Sequence, residues 1–484
     1  MNIFSLTDFK SSPLRHLTVF STVGFVLLGL VGCTVGPDYR RPLVNGQLPT
    51  AFDAPPGWKL ATPADKEKLA TWWDCFGDKR LDDLMKRVEA ENQEMIAALH
   101  RVEQARAISQ AANSAAFPGI SFDPSATRGR RSGTVSDTSS NLTGRTTTNL
   151  TLPLNLGYEI DFWGKIRRGT EAAKAETEAD EALRRQLQLT LQSELAVQYF
   201  GMRSLDAEIE LFEAEVELRR KALELNQKRF EAGDTDEVDV SRAETEMSAT
   251  ETELIGLRQN RSEFENAIAV LIGKPSSGFR IAPSPLGFAP PRIPVSVPSE
   301  LLERRPDIAA AERIMIAENA RIGVAKAAFF PSVSFNGSIG LESGSTSQLF
   351  DYASRTWGLG PEISFPVFEG GLNKAELARS EARYDETVAN YRQTILQAVR
   401  EVDDALVAVD RLSQRFASQQ RTVSAAARTV ELSQQRYDAG VVAYFEVVDA
   451  QRTELSARQA AVRLRAAQYL ASIALVKALG GGWE

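Results

Sequence analysis

The sequence is poor in the side chains that most enzyme centres need. Its 484 residues include only two histidines, His16 and His100, and two cysteines, Cys33 and Cys75. That scarcity excludes most Ser-His-Asp, Cys-His and His-ligated zinc chemistry. A basic excess is lacking too: 56 lysines and arginines stand against 64 acids, a net charge of −8, so nucleic acid is not an expected partner. Only one long apolar run occurs, at the N-terminus, which excludes a polytopic helical membrane protein. No nucleophile–base pair, metal-ligand cluster or phosphate loop is found. The chain reads as no enzyme, with no metal and no cofactor beyond a covalent lipid.

What is present begins with an address. Lys10 and Arg15 precede an apolar stretch over residues 17–30, too short and too early for a membrane span. It ends in Leu30-Val31-Gly32-Cys33, which looks like a bacterial lipobox: small residues before a cysteine that is lipidated and becomes the new N-terminus. The plainer reading is an ordinary signal peptide with a chance cysteine. Thr34, rather than an aspartate, follows and favours the outer membrane. Cleavage before Cys33 leaves Cys75 as the only other thiol, so no disulfide within the chain is expected beside the acylated residue.

The chain repeats itself. Ala115-Ala116-Phe117-Pro118 returns as Ala328-Phe329-Phe330-Pro331, Gly157-Tyr158-Glu159-Ile160 as Gly360-Pro361-Glu362-Ile363, and Arg229-Phe230-Glu231-Ala232-Gly233 as Arg436-Tyr437-Asp438-Ala439-Gly440. Two halves of about 200 residues share one plan. Seven of the 21 prolines fall in residues 275–298, an extended linker between them. The expected organisation is a signal peptide (1–32), an N-terminal anchor and equatorial segment (33–88), a first repeat (89–274), the linker (275–298), a second repeat (299–479) and a tail (480–484). Each repeat is a helix, two strands and a helical hairpin.

The strands alternate. Leu150, Leu152, Leu154, Leu156, Tyr158, Ile160 and Phe162 face one way, and Thr151, Asn155, Gly157, Glu159 and Asp161 the other. Val333, Phe335, Ile339 and Leu341 repeat the pattern, as do Trp357, Leu359, Ile363, Phe365 and Val367; residues 119–130 are a weaker fourth case. A soluble half-buried sheet gives the same alternation. A transmembrane barrel, apolar outside and polar inside, needs this strand length as well. The signal peptide and the aromatic strand ends Tyr158, Trp163 and Trp357 favour it. Hairpins are expected across the Ser- and Thr-rich loops 131–145 and 342–354. Four strands cannot close a barrel alone, because an open edge in lipid leaves backbone groups unpaired at several kcal/mol each. Two copies give eight strands and a filled interior; three give twelve and room for a lumen.

The rest reads as long helix. Residues 165–231 hold no proline and two glycines, and residues 372–439 hold neither. Each run predicts a helix of about 65 residues, or about 100 Å. Tyr384, Tyr391, Ile395, Val402 and Leu406 belong to a seam with steps of 3, 4 and 7. Each run ends near a glycine, Gly233 or Gly440, and a helix returns over about 237–272 or 444–479. The fold class is therefore mixed α and β with an internal two-fold repeat.

At this point the residues resemble a family, the outer-membrane efflux proteins: the TolC-like channels, and within them the lipid-anchored NodT/OprM-type branch. The matching segments are Cys33-Thr34-Val35-Gly36-Pro37-Asp38-Tyr39, Trp72-Trp73-Asp74-Cys75-Phe76-Gly77-Asp78, Leu301-Leu302-Glu303-Arg304-Arg305-Pro306-Asp307-Ile308 and Tyr444-Phe445-Glu446-Val447-Val448-Asp449-Ala450-Gln451-Arg452. Cys75 departs from the pattern. The resemblance implies a homotrimer with a 12-strand outer-membrane β-barrel, four strands per chain, continued by a long periplasmic α-helical barrel. It implies lipid attachment at Cys33 and passive export of small molecules in a tripartite pump. The partners are then outer-membrane lipid, a periplasmic adaptor (membrane fusion) protein and an inner-membrane transporter of the resistance-nodulation-division type. A type I secretion channel and a lipid-anchored coiled-coil scaffold without a pore are the alternatives.

The resemblance also places a periplasmic gate at Phe445, Asp449 and Arg452: a bulky ring, an aspartate ring and a basic partner. By spacing alone they share one helix face, where Phe445 could equally be core and Asp449–Arg452 an exposed pair. The hairpin tips, with Arg229, Gly233, Arg436 and Gly440, are candidate adaptor contacts. Glu159 and Glu362 occupy the polar side of equivalent strands, as lumen-lining groups or as solvated strand ends.

Overall fold

The computed structural model describes residues 34–42, 71–130, 132, 134, 145–286, 289–291, 293 and 305–481. Cys33, with the expected lipid attachment, lies outside them. The helices are α1 (Lys79–Glu91), α2 (Gln93–Ser114), α3 (Lys165–Glu231), α4 (Glu237–Leu271), α5 (Pro306–Ala327), α6 (Leu372–Asp438) and α7 (Tyr444–Ala478). The strands are β1 (Gly119–Phe122), β2 (Ser125–Arg130), β3 (Thr146–Ile160), β4 (Ser332–Ser343) and β5 (Arg355–Ser364). The internal repeat survives in the element lengths: α3 and α6 each have 67 residues, α4 and α7 each 35. Chain contacts divide the protein into two compact units.

The first unit comprises Met1–Arg41, Gln104–Thr177 and Arg313–Val388. It holds one antiparallel sheet in which β1 and β2 both pair with β3, β3 with β4, and β4 with β5. β1 and β2 are one strand broken at Asp123-Pro124, where proline brings no N–H to the ladder. Tyr158 pairs with Phe335, Leu154 with Ile339, and Ile339 with Trp357, so the apolar sets of neighbouring strands fall on one face. β5 stops at Ser364, short of the expected Phe365 and Val367, because Pro366 follows. At Gly340 an added Cβ would lie 2.5 Å from the Leu152 carbonyl oxygen, so this close strand approach requires glycine. Ala172 and Ala175 of α3 pack on Ala317 and Ala320 of α5, small residues that let two helices approach. The N-terminal residues cross the same place. Val35 N–H donates to the Trp163 carbonyl (3.0 Å), Asn319 Nδ2 to the Pro37 carbonyl (2.9 Å) and Arg168 Nη2 to Asp38 Oδ1 (2.8 Å). Gly36 has φ 111° and faces Gly323, where a Cβ would meet Cα at 2.5 Å.

The second unit comprises Pro42–Glu103, Glu178–Glu312 and Ala389–Glu484. Its core joins Trp72, Trp73, Leu81 and Met85 to Leu195, Tyr199, Ile268, Val402, Leu406 and Val476. Of the expected seam of α6, Tyr391, Ile395, Val402 and Leu406 are nearly inaccessible, whereas Tyr384 is half-buried. Each fully buried side chain of this kind contributes about 1.5–3 kcal/mol. Asp78 caps α1 by accepting from the N–H groups of Arg80 and Leu81. Pro306 opens α5, and Arg305 grips Asp307 with two parallel bonds of 3.0 and 2.6 Å while also reaching Glu401. Part of the Pro-rich linker is held by a buried ionic cluster. Arg203 and Arg261 share Asp206 and donate to the carbonyls of Ala282 and Ile281, and Asp206 accepts from Ser284 N–H. Proline prevents the segment from forming its own ladder, so side chains satisfy its backbone.

Candidate functional site

In the first unit the sheet has two unlike faces. One carries Ile120, Phe122, Leu154, Ile339, Trp357, Leu359 and Ile363, all exposed, with Trp357 at 80%. A contiguous apolar surface of this size facing water is far from the norm for a soluble monomer. The other face is polar and internally bonded. Ser121 and Asn155 both donate to Asp123 (2.7 and 2.9 Å), Asn149 to Glu342 (3.0 Å), and Asn336 to Glu362 (2.7 Å). Register puts Glu159 opposite Ser334 and Ser334 opposite Glu362, so both expected carboxylates share one row of this face. Glu159 also pairs with Lys165 at 3.0 Å. The sheet has two open edges, the β1/β2 strand and β5.

In the second unit the tips close by one backbone device. Gly233 and Gly440 adopt φ of 80° and 70°, which L side chains rarely do. Asp234 N–H reaches the Arg229 carbonyl (2.8 Å) and Val441 N–H the Arg436 carbonyl (2.9 Å), the six-to-one closure of a glycine-terminated helix. Arg229 is half-buried: Nη1 donates to the Tyr437 hydroxyl at 2.6 Å and the guanidinium lies 5.2 Å from that ring's centre. Its repeat counterpart Arg436 is exposed, 3.5 Å from Glu446. Burial raises the pKa of the Tyr437 hydroxyl, against the opposing pull of Arg229.

Just past the second tip, Tyr444, Val447 and Val448 bury against Ala243, anchoring the first turns of α7. That leaves Phe445, Asp449 and Arg452 together on the exposed face. Phe445 is not core; it is half exposed, with the Arg242 guanidinium 5.5 Å from its ring centre. Arg452 does not bond Asp449. It turns to Glu246 of α4, with Nε 3.0 Å from Oε2 and Nη2 on Oε1. Glu246 Oε2 also accepts from buried Arg219 Nη1 at 2.5 Å, and Arg219 Nε donates to Glu215 Oε1 at 2.9 Å. Burial raises the Glu215 pKa, with Arg219 opposing it. Hydrogen bonding to Glu246 holds the Arg452 guanidinium firmly protonated. Glu237, Val238, Ser241, Arg242, Thr245, Glu246 and Arg452 line a concavity here of about 430 Å³. Sequence reasoning missed Arg219, Arg242 and Glu246. The available signal was the tip glycine: Arg219 lies fourteen residues before Gly233 and Glu246 thirteen after it, as partners across a hairpin must.

Cys75 is spoken for locally. Cys75 is exposed, and its thiol donates to the Trp72 carbonyl. Among the described residues no cluster of His, Cys, Asp and Glu could hold a metal ion, and no helix is long and apolar enough to cross a membrane.

Comparison with known proteins adds to this geometry. The family described as "Outer membrane efflux protein" matches residues 84–274 and 297–481. The cation efflux system protein CusC of Escherichia coli O6:H1 is 30% identical over 462 residues, 95% of this chain and 98% of CusC. The solvent efflux pump outer membrane protein SrpC of Pseudomonas putida is 32% identical over 481 residues, 98% of this chain and 99% of SrpC. The solved outer-membrane channel OprN superposes with a TM-score of 0.83 at 31% identity, covering 93% of this chain and all of OprN.

Proposed function

We propose, for a chain that belongs to the outer membrane efflux protein family, a specific way in which its residues make an efflux channel of the outer membrane. Three copies close a 12-strand barrel, each giving the sheet β1/β2–β3–β4–β5. The observation that carries this is the sheet itself: an exposed apolar face, a polar face, and two unpaired edges. In lipid each bare edge group costs several kcal/mol, and only closure with other copies removes the cost. The polar face then lines the lumen, with Glu159 and Glu362 in one row. Mass measurement of the purified protein in detergent is expected to give a trimer; a monomer with intact strand content overturns the closure.

Phe445 and Asp449, repeated three times, narrow the periplasmic entrance, and Arg452 holds that face to α4 through Glu246. The exposed tip residues, Arg436 and the surroundings of Gly233 and Gly440, meet a periplasmic adaptor, while Arg229 braces the tips from within. An inner-membrane transporter of the resistance-nodulation-division type supplies the energy. Relatives 30% and 32% identical are named for cations and for solvents, so overall similarity does not assign this chain's cargo. Cys33 carries the lipid anchor, supported by the Leu30–Gly32 context before it. Incorporation of a fatty-acid analogue is expected to vanish in Cys33→Ser, and label that persists disproves the site.

A further inference from the structure

The apolar face of the sheet ends in arginine. Along β3 the outward positions run from Ile160 to Leu150 and then continue as Thr148 and Thr146. Leu150 to Ile160 is eleven residues, ten steps or about 33 Å along the strand, and close to the ~25 Å apolar band of a transmembrane barrel once tilted. Opposite Thr148 stands Arg128, and opposite Thr146 stands Arg130. Both therefore share the outward face and lie in the first two rows beyond the apolar band. Arg355 is on the same face, paired with Leu341 across from Leu152. Its guanidinium stacks 4.4 Å from the centre of the Tyr352 ring, which is 79% exposed and belongs to the loop before β5. Long arginine stems reach from the edge of an apolar surface to the polar boundary in this way.

Among the described residues no carboxylate neutralises these cations. Arg128 and Arg130 have no ion-pair partner among the described residues, and Arg355 has only the aromatic ring. The carboxylates of the sheet, Asp123, Glu159, Glu342 and Glu362, all fall on the opposite, polar face. This end of the sheet is the loop end; the helices join the other end, next to Gly119, Ile160, Ser332 and Ser364. Two cations just beyond the apolar band and a third, Arg355, one row inside its Leu150 end, with a stem long enough to reach the boundary, call for anions there, and guanidinium is suited to phosphate by its planar, two-pronged donor set.

We propose that Arg128, Arg130 and Arg355 bind the terminal, anionic phosphate groups of a multiply phosphorylated lipid headgroup in the outer leaflet, as distinct from the zwitterionic phosphodiester of phosphatidylcholine. The proposal rests on the lipid-facing reading of the sheet given above. Its test compares the wild type with the Arg128→Gln/Arg130→Gln/Arg355→Gln variant. Both are inserted in phosphatidylcholine nanodiscs with bisphosphorylated lipid A, with dephosphorylated lipid A, or with neither plus inorganic phosphate. Lipid retained through detergent washing is read by native mass spectrometry. The wild type is expected to retain the bisphosphorylated lipid selectively, and the triple variant to lose at least about tenfold of that retention. Circular dichroism and oligomer mass are expected to be the same for both. Equal retention by both proteins, retention independent of lipid phosphate, or displacement by millimolar inorganic phosphate overturns the proposal. A wild type that fails to enter neutral phosphatidylcholine overturns the lipid-facing reading and the proposal with it, whereas entry without phosphate preference overturns the proposal alone.

Discussion

Glu246 is the side chain that ties down the proposed gate face, because two guanidiniums from different helices meet on its carboxylate. Its two partners are unequal. Arg219 is buried, whereas Arg452 is 59% exposed at the side chain. Glu246→Gln leaves Arg219 with one carboxylate in place of two, in a dry setting, and is expected to cost about 3 kcal/mol. Arg452→Gln breaks a solvent-screened contact and is expected to cost at most about 1 kcal/mol. Denaturant titration of the two variants checks the difference; equal losses would show that Arg219 does not depend on Glu246. The face of Phe445, Asp449 and Arg452 was legible from the i, i+4, i+7 spacing. The partner of Arg452 was not, since spacing along one helix says nothing about the helix beside it.

At the scale of elements, glycine marks where backbones come closest. Gly340→Ala puts a methyl 2.5 Å from the Leu152 carbonyl and 2.8 Å from Pro153 Cα, both backbone atoms that cannot swing aside. The β3–β4 pairing must then open, at a cost of about 1–3 kcal/mol. A lower melting temperature is expected for Gly340→Ala than for Gly360→Ala, where a Cβ meets nothing within 4 Å; equal melting temperatures would contradict the close approach. The long helices could be read from the absence of proline, and their ends from Gly233 and Gly440. The break between β1 and β2 and the early end of β5 follow from Pro124 and Pro366, whose effect depends on which neighbour the missing N–H would have met.

For the whole molecule, single-channel conductance checks the proposed gate and the proposed closed barrel together. In the proposed trimer three copies of Asp449 and Phe445 would act together, so even weak contacts at each copy would add to a few kcal/mol, enough to shift an open–closed population strongly. The Phe445→Ala/Asp449→Ala variant is expected to show higher single-channel conductance in planar bilayers and weaker cation preference. Its fold is expected to be intact, because both residues lie on the exposed face and outside the buried cluster of Tyr444, Val447 and Val448. Unchanged conductance in a correctly assembled variant would place the constriction elsewhere along the helices.

The sequence by itself determined the repeat, the strand and helix types, the apolar and polar strand faces and the glycine tips. These depend on periodicity and on single-residue backbone preferences, which are local. Only the tertiary structure decided that Glu159, Ser334 and Glu362 share a row, that Glu246 joins Arg219 to Arg452, and that Arg128, Arg130 and Arg355 lie on the apolar side. Strand register and helix pairing bring together residues as far apart as the 208 positions between Arg229 and Tyr437, and a shift of one residue would reverse the face of every side chain in a strand. The physical reason is that local preference fixes the shape of an element, while packing between elements fixes which of its side chains meet.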